Sequence, residues 1–437
     1  MSLRAFLHKA RQEHRLTVIA DEVDPNLEMA TVINRLEGPP LLFEKVRGHD
    51  YTVAASVCGT RENLARDLGV GVEQLLYTLA GALEHPSEPT IVSTAPCQEV
   101  VQERVDLESL PLLTHLPQDA GPYITAGVAV TRDPDYGRNV SFHRLLRRGR
   151  SQLVARLVEG RGTDTLVQKS SGEVEVAICI GNSLPVLIAA ATSASPDIDE
   201  FSIANALRPT PLVKCLTVDL EVPAETEIVL EGHITQATAP EGPFLDLTGT
   251  MDIVRQGRIV EISCLTHRRD AIYQALLPGG QEHKLLMGMP REPTIYAEVS
   301  KVCDCLNVLL TPGASTWLHG VVQIQKRDAD DARRAIEAAF LGHPSMKHVV
   351  VVEDDIDIYD PLDVEWAIAT RFQAERDLVI LENQPGSSLD PSATHASGVK
   401  SRTTRVGLDA TIPWRKPGGA PRTSEEREAF RRVRYED

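Results

Sequence analysis

The feature that most constrains this chain is a change of rhythm near residue 300. From about 123 to 300, β-branched runs follow one another: "YITAGVAVTRD", "SQLVARLVEG", "VEVAICIG", "LPVLIAAATS", "ETEIVLEGHITQ" and "RIVEISCLTHR". Gly, Asp and Pro punctuate them, as expected of strands closed by turns. One helical pattern, "DIDEFSIANALR" (197–208), interrupts the series. Many short strands in succession predict a barrel-like or layered β domain. Beyond 300, strand and helix patterns alternate: "LHGVVQIQ", "DADDARRAIEAAFLG", "KHVVVVED", "LDVEWAIATRF" and "DLVILEN". That alternation predicts an α/β layer. In its first helix Asp328 is placed as the N-cap, with Gly342 just past the end.

Before the strand-rich region the signals are mixed. "MSLRAFLHKARQEHR" is amphipathic, with Leu3, Phe6 and Leu7 on one face, and lacks the apolar core of a signal peptide. "DEVDPNLEMATVINRL" and "TRENLARDLGVGVEQLLYTLAGALE" carry helical periodicity, whereas "PPLLFEKV" and "YTVAASV" read as short strands. The Pro-rich passage "ESLPLLTHLPQDAGPYI" (108–124) has the composition of an interdomain connector. A chain of 437 residues exceeds one simple core. The expected division is an N-terminal α/β domain over 1–115, a central strand-rich domain over 116–300 and a C-terminal α/β domain over 301–437 that ends in an arm or terminal helix.

Composition excludes several classes of function. A net charge of −17 argues against binding nucleic acid or an anionic membrane, which needs a positive face. Local basic clusters such as "HRLLRRGR" (143–150) still suit a phosphate or carboxylate. The longest nearly apolar run, "SLPVLIAAATSA" (183–194), is too short to span a bilayer, so a cytoplasmic protein is expected. Seven scattered cysteines read as reduced, mostly buried thiols, and the Cys303-x-Cys305 pair lacks the further soft ligands of a metal site. There is no P-loop, no G-x-G-x-x-G after a strand, no H-E-x-x-H and no G-x-S-x-G.

Against that background stands "TAPEGPFLDLTGT" (238–250), which sets Glu241 and Asp246 five residues apart around a Gly-Pro turn. Glu-Gly-Pro alone is ordinary turn chemistry. Its companions are "GRNVSFHRLL" (137–146), "PDIDEFSIANALR" (196–208), "VKCLTVDLEVPAETEIVLEGHITQ" (213–236), "VEDDIDIYDPLDVEWAIATRF" (352–372) and "RVGLDATIPW" (405–414). In this order the segments resemble the UbiD-type decarboxylases, the family of polyprenyl-hydroxybenzoate and ferulic acid decarboxylases, over nearly the whole chain. The resemblance implies prenylated FMN bound in a central split β-barrel domain, with the cofactor supplied by a flavin prenyltransferase. It also implies CO2 exchange at sp2 carbons of aromatic or α,β-unsaturated acids. Charge left in an sp2 orbital is orthogonal to the π system and no side chain delocalises it, so such a reaction needs a covalent electron sink.

The same resemblance assigns residues. Asn139, with Glu200 of "DIDEF", is implied as a ligand of Mn2+, with K+ beside it; oxygen donors suit such ions. Val140, Ser141, Phe142, Arg156, Leu157, Arg161, Gly162, Glu200 and Arg405 are implied cofactor contacts. Arg144 is implied to pair with Glu241, and Asp246 to act as the proton donor. Some members place a histidine metal ligand after the N-x-S-x-x-R segment. Here "VEGRGTD" has none, so Glu159, Gly160 or a water stands in its place.

The loop "LPGGQEHKLLMG" resembles a compact subgroup that includes furan-, pyrrole- and anhydromevalonate-phosphate-type decarboxylases. A small heteroaromatic or unsaturated acid is therefore expected, with His283 or Lys284 meeting a second anionic group. The alternatives are an anhydromevalonate phosphate decarboxylase acting on an aliphatic phosphorylated acid, and a silent flavin-binding subunit of a larger carboxylase. A homodimer or homohexamer is implied by the resemblance.

Overall fold

The computed structural model describes residues 2–396, 399–414 and 420–433. The chain divides into two units, Met1–Leu286 and Met287–Asp437.

The first unit opens with helix Leu3–Gln12, which buries Leu3, Phe6, Leu7 and Ala10 as its amphipathic pattern requires. A four-stranded sheet follows, in the order Thr17–Val23, Leu41–Val46, Thr52–Ala55, Ile272–Gln274. The strand-rich region forms one nine-stranded sheet running from Tyr123–Ile124 at one end to Gly137–Phe142 at the other. Its longest members, Ile228–Glu241 and Arg255–His267, pair antiparallel at the centre. The sheet path has two ends, and no closed barrel is found among the described residues. Leu41, Phe43, Ile178, Leu230, Val260 and Leu265 share one buried core, which joins the four-stranded and nine-stranded sheets of this unit.

Three local readings change in the structure. "LPVLIAAATS", expected as a strand, is helix Leu184–Ala191, with Leu184–Ala190 all buried. A run that is apolar at every position has no period, so only its surroundings choose between helix and strand. The long helical pattern around residue 70 is two helices, Arg61–Leu68 and Leu75–Glu84, because Gly69 takes φ +78° and closes the first. The Pro-rich 108–124 stretch runs inside the first unit, with Leu110, Leu112, Leu113 and Tyr123 buried.

The second unit holds a six-stranded sheet in the order Asp304–Leu310, His319–Gln325, His348–Glu353, Val399–Asp409, Leu378–Pro385, with Thr394–Ala396 paired beside Val399–Asp409. The three central strands are parallel, and helices Asp331–Gly342 and Pro361–Arg371 complete the expected alternation. The first of these helices starts two residues later than the sequence suggested: Asp330, not Asp328, is the N-cap residue, Asp331 Oδ2 accepts from the amides of Arg327 and Asp328 at 2.7 Å each, and Gly342 is the last helical residue. A short helix, Ser424–Glu428, lies in the tail; residues 415–419 and 434–437 of the expected arm fall outside the described residues. All seven cysteines are free thiols, five of them buried. Among the described residues no helix is long and apolar enough to cross a membrane.

Candidate active site

Strand Gly137–Phe142 pairs with Val128–Asp133 in a hairpin that sets Asn139 opposite Thr131. Two residues past its end, Arg144 lays its guanidinium against the end of strand Ile228–Glu241. Nε and Nη2 donate to the two oxygens of Glu241 at 2.9 Å each, a side-on fork. Glu241 is fully buried, and Tyr123 Oη donates to its Oε1 at 3.2 Å while accepting from Gly242 N at 3.2 Å. Gly242 sits at φ +90°, where a Cβ would lie 3.0 Å from the carbonyl oxygen of Ile253. Glycine alone fits that turn comfortably.

Two further carboxylates take the other edge of the guanidinium. Strand Phe244–Leu245 pairs with Met251–Asp252, Phe244 opposite Asp252, and Asp246 opens the turn between them. Nη1 donates to Asp246 Oδ2 at 3.1 Å and Nη2 to Asp252 Oδ2 at 2.8 Å. The Phe244 ring lies under the cation, 4.7 Å from Cζ to centroid. Burial opposes the charge on Arg144, but the hydrogen bonds and charges of Glu241, Asp246 and Asp252 outweigh it and raise its pKa. Asp252 is also gripped by Arg255 through Nε and Nη2, closest at 2.8 Å. Burial works against its charge as well, yet the bonds from Arg255 and Arg144 hold it below the usual carboxylate range.

The three acids are not held equally. Glu241 receives both Arg144 bonds and the tyrosine hydroxyl, and Asp252 receives two arginines and its neighbour's amide, Ile253 N, at 2.9 Å. Asp246 receives one Arg144 N–H and the Leu247 amide at 2.6 Å. It is the acid with the fewest donors of the three.

A second polar corner gathers on the same hairpin. Asn139 Nδ2 donates to Thr163 Oγ1 at 3.1 Å, and His143 Nε2 lies 3.0 Å from that hydroxyl and 3.2 Å from Ser141 Oγ. Thr163 begins the helix Gly162–Lys169, and a Cβ at Gly162 would fall 2.5 Å from Asn139 Oδ1, so the glycine leaves that carbonyl accessible. Burial lowers the pKa of His143 to about 4 and keeps it neutral. Val140 N donates to Glu200 Oε2 at 2.9 Å, where Glu200 opens helix Glu200–Leu207. Burial pushes the Glu200 carboxyl up to about 8, with the Val140 amide opposing. Among the described residues no arginine or lysine pairs with it. A half-buried acid with no cation in contact, held by the amide of the residue after Asn139, suits a hard metal ion. No group of three or more His, Cys, Asp or Glu is arranged to hold a metal among the described residues, so a cation here relies on amide, hydroxyl or phosphate oxygens as well.

The remaining predicted residues scatter around these two corners. Phe142 ends the hairpin opposite Val128, and Leu157 belongs to the buried core. Arg156 donates to Glu159 at 3.0 Å, which occupies Glu159 on the surface, and Gly160 N donates to Asp164 at 2.8 Å. Arg161 is the N-cap residue of helix Gly162–Lys169 and is exposed. His283 and Lys284 lie in helix Gln281–Gly288; His283 Nδ1 accepts from Gly279 N at 3.0 Å. Burial lowers the pKa of His283, with Asp246 opposing and Arg144 and Lys284 adding to the fall. The preceding residue, Glu282, anchors this turn by accepting from the amides of Ser56 and Cys58 at 3.0 and 2.8 Å. Arg405 belongs to the second unit, where it donates to the carbonyls of Pro344 and Pro385, the latter at 2.7 Å, and lies over the Phe340 ring.

Sequence reading missed Tyr123, His143, Thr163, Asp252 and Arg255. One partial signal was available: "DLTGTMD" carries an Asp at either end of a Thr-Gly-Thr turn, flanked by strands that pair Leu245 with Met251 and Phe244 with Asp252.

Three family models match in order: the 3-octaprenyl-4-hydroxybenzoate carboxy-lyase N-terminal domain over residues 7–83, its Rift-related domain over 90–281 and its C-terminal domain over 284–410. The chain is 41% identical over 419 residues to the anhydromevalonate phosphate decarboxylase of Methanothermobacter thermautotrophicus, covering 94% of this chain and 97% of that protein. It is 42% identical over 417 residues to the protein of that name from Methanosarcina mazei, covering 94% and 96%. Among solved structures, the UbiD-class enzyme HmfF from Pelotomaculum thermopropionicum in complex with FMN superposes with a TM-score of 0.91 at 39% identity, covering 99% of this chain and 97% of that one. An evolved dimeric form of the same enzyme in complex with prFMN superposes at 0.88 with 38% identity, covering 97% and 98%. With matching domains along nearly its whole length and relatives above 40% identity, the chain belongs to the UbiD family of carboxy-lyases.

Proposed function

We propose that this decarboxylase removes CO2 from the sp2 carbon of a small α,β-unsaturated acid carrying a second, phosphate-like anion, as the name anhydromevalonate phosphate decarboxylase describes for its relatives. The observation that carries the reading is the Arg144 cage: one buried cation shared by Glu241, Asp246 and Asp252, with Asp246 the least restrained. Arg144 receives the substrate's carboxylate, and Glu241 with Tyr123 fixes the guanidinium plane. The prenylated flavin, when bound, supplies the electron sink that this chemistry requires. Asp246 Oδ2 then carries the proton delivered to the carbon that CO2 leaves, with Phe244 and the buried Glu241 helping to exclude water.

The Asn139–Ser141–Thr163 face, Val140, Phe142, Arg156, Leu157, Arg161 and Gly162 would hold the flavin, its phosphate facing the Thr163 end of helix Gly162–Lys169. Asn139 and Glu200 would hold Mn2+, with K+ nearby; the half-buried Glu200, whose carboxyl burial pushes up to about 8, supports this. His283 is neutral at pH 7, so Lys284 provides the charge for a second anion and His283 a hydrogen bond. Arg405 is already engaged by carbonyls, which makes it the weakest of the cofactor contacts. A flavin prenyltransferase supplies the cofactor, and the three-domain division and the homo-oligomeric state belong to the same reading.

A second substrate class, a small aromatic acid, is favoured by the structural likeness to the 3,4-dihydroxybenzoic acid decarboxylase of Klebsiella pneumoniae, at a TM-score of 0.88 and 26% identity. The test is coexpression with a flavin prenyltransferase, followed by assays of CO2 release from anhydromevalonate phosphate and from a panel of aromatic acids. Preference for the phosphorylated acid is expected, together with a loss of roughly 10²–10⁴-fold in Asp246→Asn. Full activity in Asp246→Asn would remove the proposed proton donor.

A further inference from the structure

A guanidinium has five N–H donors arranged as a side-on fork, an end-on fork and one further N–H. In Arg144 the side-on fork is filled by Glu241. The end-on fork is filled by two different acids, with Nη1 on Asp246 at 3.1 Å and Nη2 on Asp252 at 2.8 Å. Together these contacts use Nε, both protons of Nη2 and one of Nη1, which is four of the five. A substrate carboxylate that meets this arginine end-on therefore finds its place taken.

Of the two occupants, Asp246 has its own chemistry to perform, whereas Asp252 has a second partner waiting. Arg255 grips Asp252 from the far side through Nε and Nη2 at 2.8–3.2 Å. Asp252 can thus leave Arg144 without becoming an unpaired charge. The hairpin that carries it is held by little apolar burial, because Met251, Ile253 and Val254 beside Asp252 are 41%, 66% and 55% exposed.

We propose that Asp252 is an internal stand-in for the substrate's carboxylate on Arg144, and that Arg255 receives Asp252 when the substrate displaces it. Asp252 and Arg255 are positioning residues: they set how tightly an acid binds by competing with it for one donor. This deepens the proposed function and rests on Arg144 as the receptor of the acid.

The test is calorimetric titration of the flavin-loaded enzyme with 3-methylbutanoate, a saturated acid that cannot lose CO2 by this chemistry. Arg144→Gln examines the underlying reading alone: if it binds the probe as wild type does, Arg144 is not the receptor, whatever Asp252 does. With that control satisfied, Asp252→Ala is expected to tighten binding about tenfold and Arg255→Met to weaken it about tenfold, the scale of one charge-assisted hydrogen bond gained or lost. Opposite signs from two adjacent residues are not produced by loss of structure, which weakens both. If Asp252→Ala does not fold, Asp252→Asn tests the same sign with the shape retained. Unchanged or weaker binding in the Asp252 variants overturns the proposal, and a gain there without a loss in Arg255→Met overturns the role of Arg255.

Discussion

The two polar corners of the first unit are built from the same hairpin but solve the problem of buried charge in opposite ways. Around Arg144 every acid meets an arginine of this chain, so the corner is electrostatically closed before anything binds. Around Glu200 the chain supplies one backbone amide and no paired cation among the described residues, and the carboxyl answers by holding its proton. A closed corner is ready to exchange partners, whereas an open one is waiting for a charge from outside. On the proposed function, the contrast separates a corner that handles the acid from one that handles the cofactor.

The strongest way to break the comparison is Arg144→Lys. A lysine presents one compact charge and cannot span three carboxylates, so the fully buried Glu241 loses its fork. Activity is expected to fall more than about 100-fold, and unfolding free energy by about 3–5 kcal/mol, as for a buried pair with one partner removed. Denaturant melts and CO2-release kinetics check both numbers.

The open corner gives a prediction of opposite sign. The Glu200 carboxyl rises from an ordinary 4.5 to about 8 through burial, so the folded state binds this proton more tightly than the unfolded chain. Its contribution to stability is complete below about 4.5 and is lost as pH climbs through about 8. In cation-free protein, Glu200→Gln is therefore expected to raise the melting temperature at alkaline pH and to leave it nearly unchanged under acid conditions. Added Mn2+ should stabilise wild type and not Glu200→Gln. Equal stabilisation of both by Mn2+ would move the metal away from Glu200.

The smallest effect refines the closed corner. Tyr123→Phe removes a hydroxyl that donates to Glu241 and accepts from Gly242 N, at a cost of about 1 kcal/mol. kcat/KM is expected to fall several-fold while flavin content stays at the wild-type level. A flavin-poor Tyr123→Phe protein would show that the two corners are not separable.

Much of the fold was legible because its signals are local. Alternation after residue 300, the amphipathic first helix and most strands follow from period and turn residues alone. The helix Leu184–Ala191 was not legible, because a uniformly apolar run has no face until its neighbours bury it. In the candidate site, Arg144, Glu241 and Asp246 were singled out and do converge. Their convergence came from resemblance to a family, since residues about 100 positions apart carry no spacing signal. Arg405 was singled out by the same route, and its guanidinium is occupied by carbonyls of its own unit.

By itself the sequence determined the order of most strands and helices and the Gly-Pro turn between Glu241 and Asp246. These depend on interactions between near neighbours in the chain. Only the tertiary structure decided that Asp252 shares Arg144, that Tyr123 backs Glu241, and that Glu200 is half-buried against Val140 with no cation paired to it among the described residues. Those outcomes depend on which strands meet across the sheet and how much water remains between them, and both are properties of packing.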